Sequence, residues 1–222
     1  RQVTTNFSPW HKTCPKLNTV STSLIAFKNK QKMNITPTAL PEVLLIQPNK
    51  FEDQRGWFME SFRLDLLEKA VGFSINFCQD NQALSNFGVI RGLHYQMPPF
   101  AQSKLVSVLH GKVLDVAVDI RKGSPHFGKH FVTELSSENQ KQLFIPRGFA
   151  HGYACLSERA VFSYKVDNHY KKNAEASIAF DDTTLNIDWH IPAEHQILSS
   201  KDRNHQGFYK TQHFDYNQPL YD

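Results

Sequence analysis

The chain has 222 residues, of which 40% are hydrophobic and 12% aromatic, so it can bury one sizeable core but is short for two. No apolar run approaches the roughly 18 residues of a membrane-spanning helix, so no membrane partner is expected. Three scattered cysteines argue against a disulfide framework and a Cys-x-x-Cys metal site. We therefore expect a soluble protein of the reducing cytoplasm.

The formal charge of +4 comes from the first 32 residues, which hold one Arg, five Lys and no acidic residue. Without them, 19 basic and 21 acidic residues leave 33–222 with a net charge of −2, so no nucleic-acid partner is expected. Their richness in Ser, Thr and Lys predicts that residues 1–32 are a disordered N-terminal extension, not native to the protein. A transit peptide is the alternative, because such segments are Ser-rich and poor in acid.

Residues 33–222 are predicted to form one domain, built mainly from short strands. One helix is expected from about Leu64 to Val71, with a glycine as its stop. Many short strands without interleaved helices indicate a sandwich or a small barrel. Further strands are predicted at Lys104–His110, Phe131–Leu135, Gln142–Ile145 and Ala160–Val166.

The segment Val113–Ile120 (VLDVAVDI) has the clearest strand pattern. Apolar residues lie on one face, and Asp115 and Asp119 lie on the other. The preceding His110-Gly111-Lys112 is predicted to be a hairpin turn.

The densest group of unusual residues is Gly88–Gln96, with the sequence GVIRGLHYQ. Strict alternation would put Arg91 and His94 on opposite faces, but Gly92 can carry a bulge that redirects one of them. A lone His in a strand is more often a buried residue bonded to a backbone carbonyl. His94 becomes a functional candidate because other unusual residues accompany it.

A second group is PRGFAHG, residues 146–152, whose Pro–Gly turn delivers His151 onto the next strand. It matches the PxGxxH pattern of cupin barrels. Metal-binding cupins combine this His with an HxH pair and a Glu. Here the earlier strand reads His94-Tyr95-Gln96, so the second His is missing, and no carboxylate is evident beside the two imidazoles. We therefore expect no metal.

Two further groups are ambiguous by themselves. Tyr164 in AVFSYKV would ordinarily be a core residue with its hydroxyl bonded. Lys201-Asp202-Arg203 would pass as an exposed charge run. No Gly-rich dinucleotide fingerprint precedes a helix, so NAD is not implied, and no cofactor is expected.

Together these groups resemble the dTDP-4-dehydrorhamnose 3,5-epimerase family, from Met33 to about Arg203. The matching segments, in order, are LPEVLLIQP, DQRGWFME, QDN, GVIRGLHYQ, PPFAQSKLV, VLDVAVDIRKGSPHFG, IPRGFAHG, SYK and SSKDR. The resemblance implies an all-β cupin-type double-stranded β-helix (jelly roll) with short peripheral helices.

The resemblance also implies residue roles. His94 corresponds to the general base, Asp202 to the carboxylate that orients it, Tyr164 to the proton donor and Lys104 to a cation near the enolate oxygen. These roles suit epimerisation beside a ketone, which needs a base and an acid on opposite faces of the sugar. The implied substrate-binding residues are Arg55, Glu60, Gln79, Asn81, Arg91, His151, Tyr170, Glu175 and Lys201.

The family is dimeric, with an N-terminal strand that lends residues to the neighbouring site, so the resemblance implies a homodimer in which Arg55 and Glu60 act across the interface. The chain departs from the family pattern at Ser103, often Gly, at His169, where a Tyr-Tyr pair is usual, and at Phe180–Thr183. These departures leave open an epimerase of carbon 3 or carbon 5 alone, and an isomerase that moves the keto group. A non-catalytic sugar-nucleotide-binding cupin and a metal-dependent cupin oxygenase are the alternatives from other classes.

Overall fold

The computed structural model describes residues 33–221, so the predicted extension 1–32 lies outside the described residues. The described chain contains one α-helix, α1 (Leu64–Val71), and fifteen strands. The strands are β1 (Asn34–Pro37), β2 (Leu44–Gln47), β3 (Lys50–Asp53), β4 (Gly56–Met59), β5 (Gln79–Asn86), β6 (Ile90–Gln96), β7 (Lys104–His110), β8 (Lys112–Asp119), β9 (Arg121–Lys122), β10 (His130–Ser136), β11 (Gln142–Ile145), β12 (Phe149–Cys155), β13 (Arg159–Val166), β14 (Glu175–Ser177) and β15 (Phe214–Asp215). Short 3₁₀ helices span Lys172–Ala174, Ala193–His195, Asp202–Asn204 and Phe208–Lys210.

Two antiparallel sheets form the body of the fold. The first has the strand order β1-β2-β11-β7-β13-β5, and the second has the order β10-β8-β12-β6-β14. Neighbours within a sheet are far apart in the chain, as β2 beside β11 and β8 beside β12 illustrate. This is the jelly roll expected for a cupin-type barrel. No helix among residues 33–221 has the length and hydropathy to cross a membrane.

The helix α1 forms where the sequence predicts it. Leu67 is 1% exposed and packs in a cluster with Ile75 and Phe144, so the apolar side of the helix covers the first sheet. The helix ends at Gly72, which adopts a left-handed conformation (φ +84°) and donates its backbone N–H to the Glu68 carbonyl.

The strand β8 confirms the predicted alternation, but both of its faces are buried. Leu114, Val116 and Val118 pack in a cluster with the C-terminal segment, on the outside of the second sheet. Ala117 packs in the core between the two sheets, and Asp115, two residues before it, points the same way with 0% exposure. A carboxylate is therefore carried into the interior of the barrel.

The prediction of a hairpin at His110-Gly111-Lys112 is wrong. The chain does turn there, and Gly111 has a positive φ of +75°. However, β7 pairs with β11 and β13, whereas β8 pairs with β10 and β12 in the other sheet. The turn therefore carries the chain from one sheet to the other.

Candidate active site

A cavity of about 300 Å³ lies between the two sheets and has the size of a small-molecule site. It brings together many of the predicted site residues from distant parts of the chain. Its lining consists of Ala83, Arg91, His94, Lys104, His151, Tyr153, Phe162, Tyr164, Ser199, Lys201 and Asp202.

A bulge in β6 delivers both Arg91 and His94 to this cavity. His94 lies opposite His151 in β12, but Arg91 lies opposite Tyr153. Two residues of β6 between these pairs therefore face one residue of β12. The bulge requires Gly92, whose φ is +141°, because a Cβ there would lie 2.5 Å from the Gly152 Cα. The predicted bulge is confirmed.

The imidazole of His94 pairs with a buried carboxylate. Its Nε2 lies 2.6 Å from Asp202 Oδ1, and Ser199 Oγ donates to Asp202 Oδ2 over 2.7 Å. Burial opposes ionisation of Asp202, but the hydrogen bonds from His94 and Ser199 outweigh it and lower its pKa. Asp202 therefore remains a carboxylate that holds Nε2–H, which leaves Nδ1 of His94 free to accept a proton.

A second histidine–carboxylate pair lies deeper in the same cavity. His151 Nε2 lies 3.0 Å from Asp115 Oδ2, and both side chains are buried. Burial lowers the pKa of His151, although Asp115 acts in the opposite direction. Asp115 was not among the predicted site residues. Its inward position on the alternating strand β8 was the available signal.

Lys104, the first residue of β7, is enclosed near both pairs. Its Nζ donates to the His94 carbonyl over 3.3 Å. Burial lowers the pKa of Lys104 to about 8, while Asp115 and Glu175 act to raise it. The ammonium form therefore predominates at neutral pH and can stabilise a negative charge in the cavity.

Tyr164 enters the cavity from β13 in the first sheet, whereas His94 enters from β6 in the second. Burial raises the pKa of Tyr164, and Arg91 partly offsets the effect. The phenol is thus protonated at neutral pH. The cavity places a neutral acid and a base on facing sheets.

Several predicted binding residues lie beside the cavity and are not part of its lining. Glu175 binds Lys201 and accepts a hydrogen bond from the Tyr170 hydroxyl over 2.8 Å. Asn81 accepts from Gln79 Nε2 over 2.7 Å. Gln79 and Asn81 lie on the face of β5 that also carries the cavity residue Ala83.

Arg55 and Glu60 are not brought to the cavity of their own chain. Arg55 lies in the turn between β3 and β4, where its guanidinium and its backbone N–H both bind the Asp53 carboxylate. Glu60 lies 3.5 Å from Arg63. The role of Arg55 and Glu60 at a neighbouring site stays a prediction.

The two histidine segments alone indicated no carboxylate beside the imidazoles, but each imidazole binds one. The pairing of His94 with Asp202 is the one that the resemblance implies, whereas the pairing of His151 with Asp115 was not expected. Asp202 Oδ1 also lies 3.9 Å from Nε2 of His205, whose side chain is 6% exposed and which the sequence did not indicate. His94, Asp202 and His205 thus have the grouping of metal ligands. The 2.6 Å separation of His94 and Asp202 is nevertheless that of a hydrogen bond, which a shared ion would have to open.

Comparison with known proteins identifies relatives along most of the chain. The family model described as dTDP-4-dehydrorhamnose 3,5-epimerase matches residues 37–210. The dTDP-4-dehydrorhamnose 3,5-epimerase of Shigella flexneri is 50% identical over 182 residues, which are 82% of this chain and 99% of that protein.

Two crystal structures have the same fold. The dTDP-4-dehydrorhamnose 3,5-epimerase from Elizabethkingia anophelis NUHP1 has a TM-score of 0.79 and 49% identity, covering 81% of this chain and 98% of that chain. The dTDP-6-deoxy-D-glucose-3,5-epimerase from Legionella pneumophila Philadelphia 1, in complex with dTDP-4-keto-L-rhamnose, has a TM-score of 0.80 and 44% identity, covering 84% and 100%.

Proposed function

The chain belongs to the dTDP-4-dehydrorhamnose 3,5-epimerase family, and we propose that His94, Lys104 and Tyr164 carry out its reaction. The protein is an isomerase that converts dTDP-4-dehydro-6-deoxy-D-glucose to dTDP-4-dehydro-L-rhamnose in dTDP-L-rhamnose synthesis. The observation that carries the proposal is one cavity that joins a His–Asp pair, a partly buried Lys and a neutral Tyr.

His94 removes the proton at carbon 3 or carbon 5, each of which adjoins the ketone at carbon 4. A proton beside a ketone is weakly acidic, so its removal needs a positioned general base, and His is the residue that most often serves as one. Nδ1 of His94 accepts the proton, because Nε2 is bound to Asp202. The Asp202 carboxylate then stabilises the imidazolium.

Lys104 stabilises the negative charge that develops on the ketone oxygen. Its ammonium group is enclosed in the cavity, where a charge interaction is stronger than in water. Tyr164 then donates its proton to the opposite face of the carbanion, which inverts the carbon. The proposed roles of Tyr164 and His94 are supported by their positions on facing sheets.

The diphosphate and the sugar need cationic and polar partners around this core. Arg91 and Lys201 line the cavity and supply positive charge for the diphosphate. With Nε2–H held by Asp115, His151 offers Nδ1 as an acceptor for a sugar hydroxyl. Gln79, Asn81, Tyr170 and Glu175 extend the binding surface beside the cavity.

We also propose that the protein acts as a homodimer of the domain formed by residues 33–222. The β3–β4 hairpin of each protomer then reaches the active site of its partner and completes it. The Arg55 side chain is 90% exposed and lies outside its own cavity. The same hairpin exposes Trp57 (54%) and Phe58 (66%), an apolar surface of the kind that interfaces cover. A cytoplasmic location suits Cys78 and Cys155, which are free thiols.

Incubation with dTDP-4-dehydro-6-deoxy-D-glucose in deuterated water tests the proposal. NMR measures the incorporation, and we expect deuterium at both carbon 3 and carbon 5. Label at one carbon would indicate a mono-epimerase, and no label would contradict the enzymatic function in favour of a binding protein.

The Tyr164→Phe variant separates the acid from the base. It should still exchange deuterium, because His94 can return a proton to the face from which it came. It should invert the carbon at least about 10²-fold more slowly than the wild type. Inversion at the wild-type rate would remove Tyr164 from the mechanism.

A further inference from the structure

The C-terminal segment 211–221 lies beyond residues 37–210, which the family model matches. It runs along the barrel in a defined conformation. Its strand β15 pairs in parallel with β9, and Tyr216 donates its backbone N–H to the Lys122 carbonyl over 2.9 Å. The segment ends with the Tyr221 ring packed on Phe73, with 4.1 Å between ring centroids.

The Tyr221 hydroxyl joins two separate loops. Its oxygen accepts the backbone N–H of Arg147 over 2.8 Å, and it lies 2.6 Å from Ser103 Oγ. Because the phenol oxygen accepts from Arg147, its own hydrogen is available to Ser103. Burial raises the pKa of Tyr221 to about 12, so the hydroxyl keeps that hydrogen at neutral pH.

Asp167 joins the same two loops a second time. Its Oδ1 accepts the backbone N–H of Ser103 over 2.6 Å, and its Oδ2 accepts from Arg147 Nε over 3.1 Å. The Asp167 side chain is 3% exposed, so these bonds are sheltered from water. Arg147 Nη1 also donates to the Leu220 carbonyl over 2.6 Å. Ser103, Arg147, Asp167 and Tyr221 form one closed network, the terminal clamp.

Each loop of the terminal clamp adjoins a strand that carries a cavity residue. Ser103 immediately precedes Lys104 at the start of β7, and Arg147 stands two residues before β12, which carries His151. Asp167 immediately follows β13, which carries Tyr164. The strands β7 and β13 belong to the first sheet and β12 to the second, so the network ties the two sheets together at this end of the cavity.

We propose that Tyr221 is a positioning residue that, through the terminal clamp, holds Lys104 at the distance from His151 and Tyr164 that the reaction requires. The proposal rests on the proposed function of the cavity. Tyr221 does not line the cavity, so it acts through Ser103. A catalytic group displaced by about 1 Å can lose up to about 100-fold in rate, so a fixed loop has a measurable effect on turnover.

The Tyr221→Phe variant tests the proposal because it removes the hydroxyl but keeps the ring that packs on Phe73. We expect kcat to fall about tenfold while KM stays within about twofold, since the cavity residues themselves are intact. Ser103→Ala removes the other end of the same bond and should give a similar loss. The double variant should be no slower than Tyr221→Phe, because Tyr221→Phe already removes the bond that Ser103→Ala removes, together with the bond from the Arg147 N–H.

Tyr209→Phe is the matched control, because Tyr209 lies in the same C-terminal part of the chain and is 73% exposed. The kcat of this variant should equal that of the wild type. Two results would overturn the proposal: wild-type kcat in Tyr221→Phe, whether or not KM rises, or losses that multiply in the double variant. A wild-type protein without turnover would instead overturn the proposed function.

Discussion

His94 and His151 lie opposite each other on the neighbouring strands β6 and β12, and each binds one carboxylate. The pair of His94 and Asp202 opens to the cavity, where the His94 side chain is 29% exposed. The pair of His151 and Asp115 is closed in, with 8% and 0% exposure. We propose that the two pairs serve different purposes, because burial lowers the pKa of His151, whereas the His94 side chain reaches the open part of the cavity.

Replacing the two histidines in turn should give the largest difference. His94→Asn removes the base and should lower kcat by about 10²–10⁴-fold. His151→Asn removes an acceptor for the sugar, so it should raise KM more than it lowers kcat. Steady-state kinetics by NMR detection of the product measures both. An equal loss of kcat in the two variants would contradict the separate roles.

Replacing the carboxylates should give the next largest difference. Asp202→Asn weakens the hold on Nε2–H and removes the charge that stabilises the imidazolium, so kcat should fall at least about 10²-fold at neutral pH. Asp115→Asn should lower kcat less at the same pH, because Asp115 does not bind the base. A larger loss in Asp115→Asn would reverse the assignment of the two pairs.

The pH profile shows what Asp115 does for its neighbours. If Lys104 acts as a cation, its pKa of about 8 predicts that activity declines as the pH rises through that value. Asp115 acts to raise this pKa, so in Asp115→Asn the decline should begin at a lower pH. The measurement is kcat against pH for both proteins. A decline that moves to higher pH, or an unchanged profile, would show that Asp115 does not support the Lys104 charge.

The smallest expected effect is on stability. Burial lowers the pKa of His151 below its ordinary value of 6.5, so the unfolded chain binds a proton that the folded chain does not. Stability from the neutral His151 is present above 6.5 and is lost as the pH falls below it. The melting temperature of His151→Gln should therefore decline less than that of the wild type between about pH 7 and about pH 5.

The exposed His190 supplies the control for that measurement. His190→Gln should keep the wild-type dependence of melting temperature on pH, because the His190 side chain is 57% exposed. An identical dependence in His151→Gln and the wild type would show that burial of His151 does not affect acid stability.

The sequence predicted those helices and strands that are defined by the periodicity of neighbouring residues. The helix at Leu64–Val71 and the strands at Lys104–His110 and Gln142–Ile145 have the predicted bounds. The turn at His110-Gly111-Lys112 was misread because no local signal states which sheet the following strand joins. That choice depends on contacts between residues distant in the chain.

The site was only partly predictable for the same reason. His94 and Asp202 are 108 residues apart, and their pairing was expected from the resemblance, since His94 alone would have been read as structural. The alternating pattern placed Asp115 on one face of its strand. Because both faces of this strand are buried, the pattern does not identify the face that lines the interior of the barrel. The terminal clamp depends on side-chain contacts between three loops, which no motif in the sequence records.

The most direct test of the central claim is deuterium exchange at carbons 3 and 5 in the His94→Asn variant, with His151→Asn alongside. If Nδ1 of His94 takes the proton, deuterium exchange at both carbons should be at least about 10²-fold slower in His94→Asn than in the wild type. In His151→Asn, exchange at both carbons should persist at saturating substrate. Exchange in His94→Asn at the wild-type rate would show that another group removes the proton.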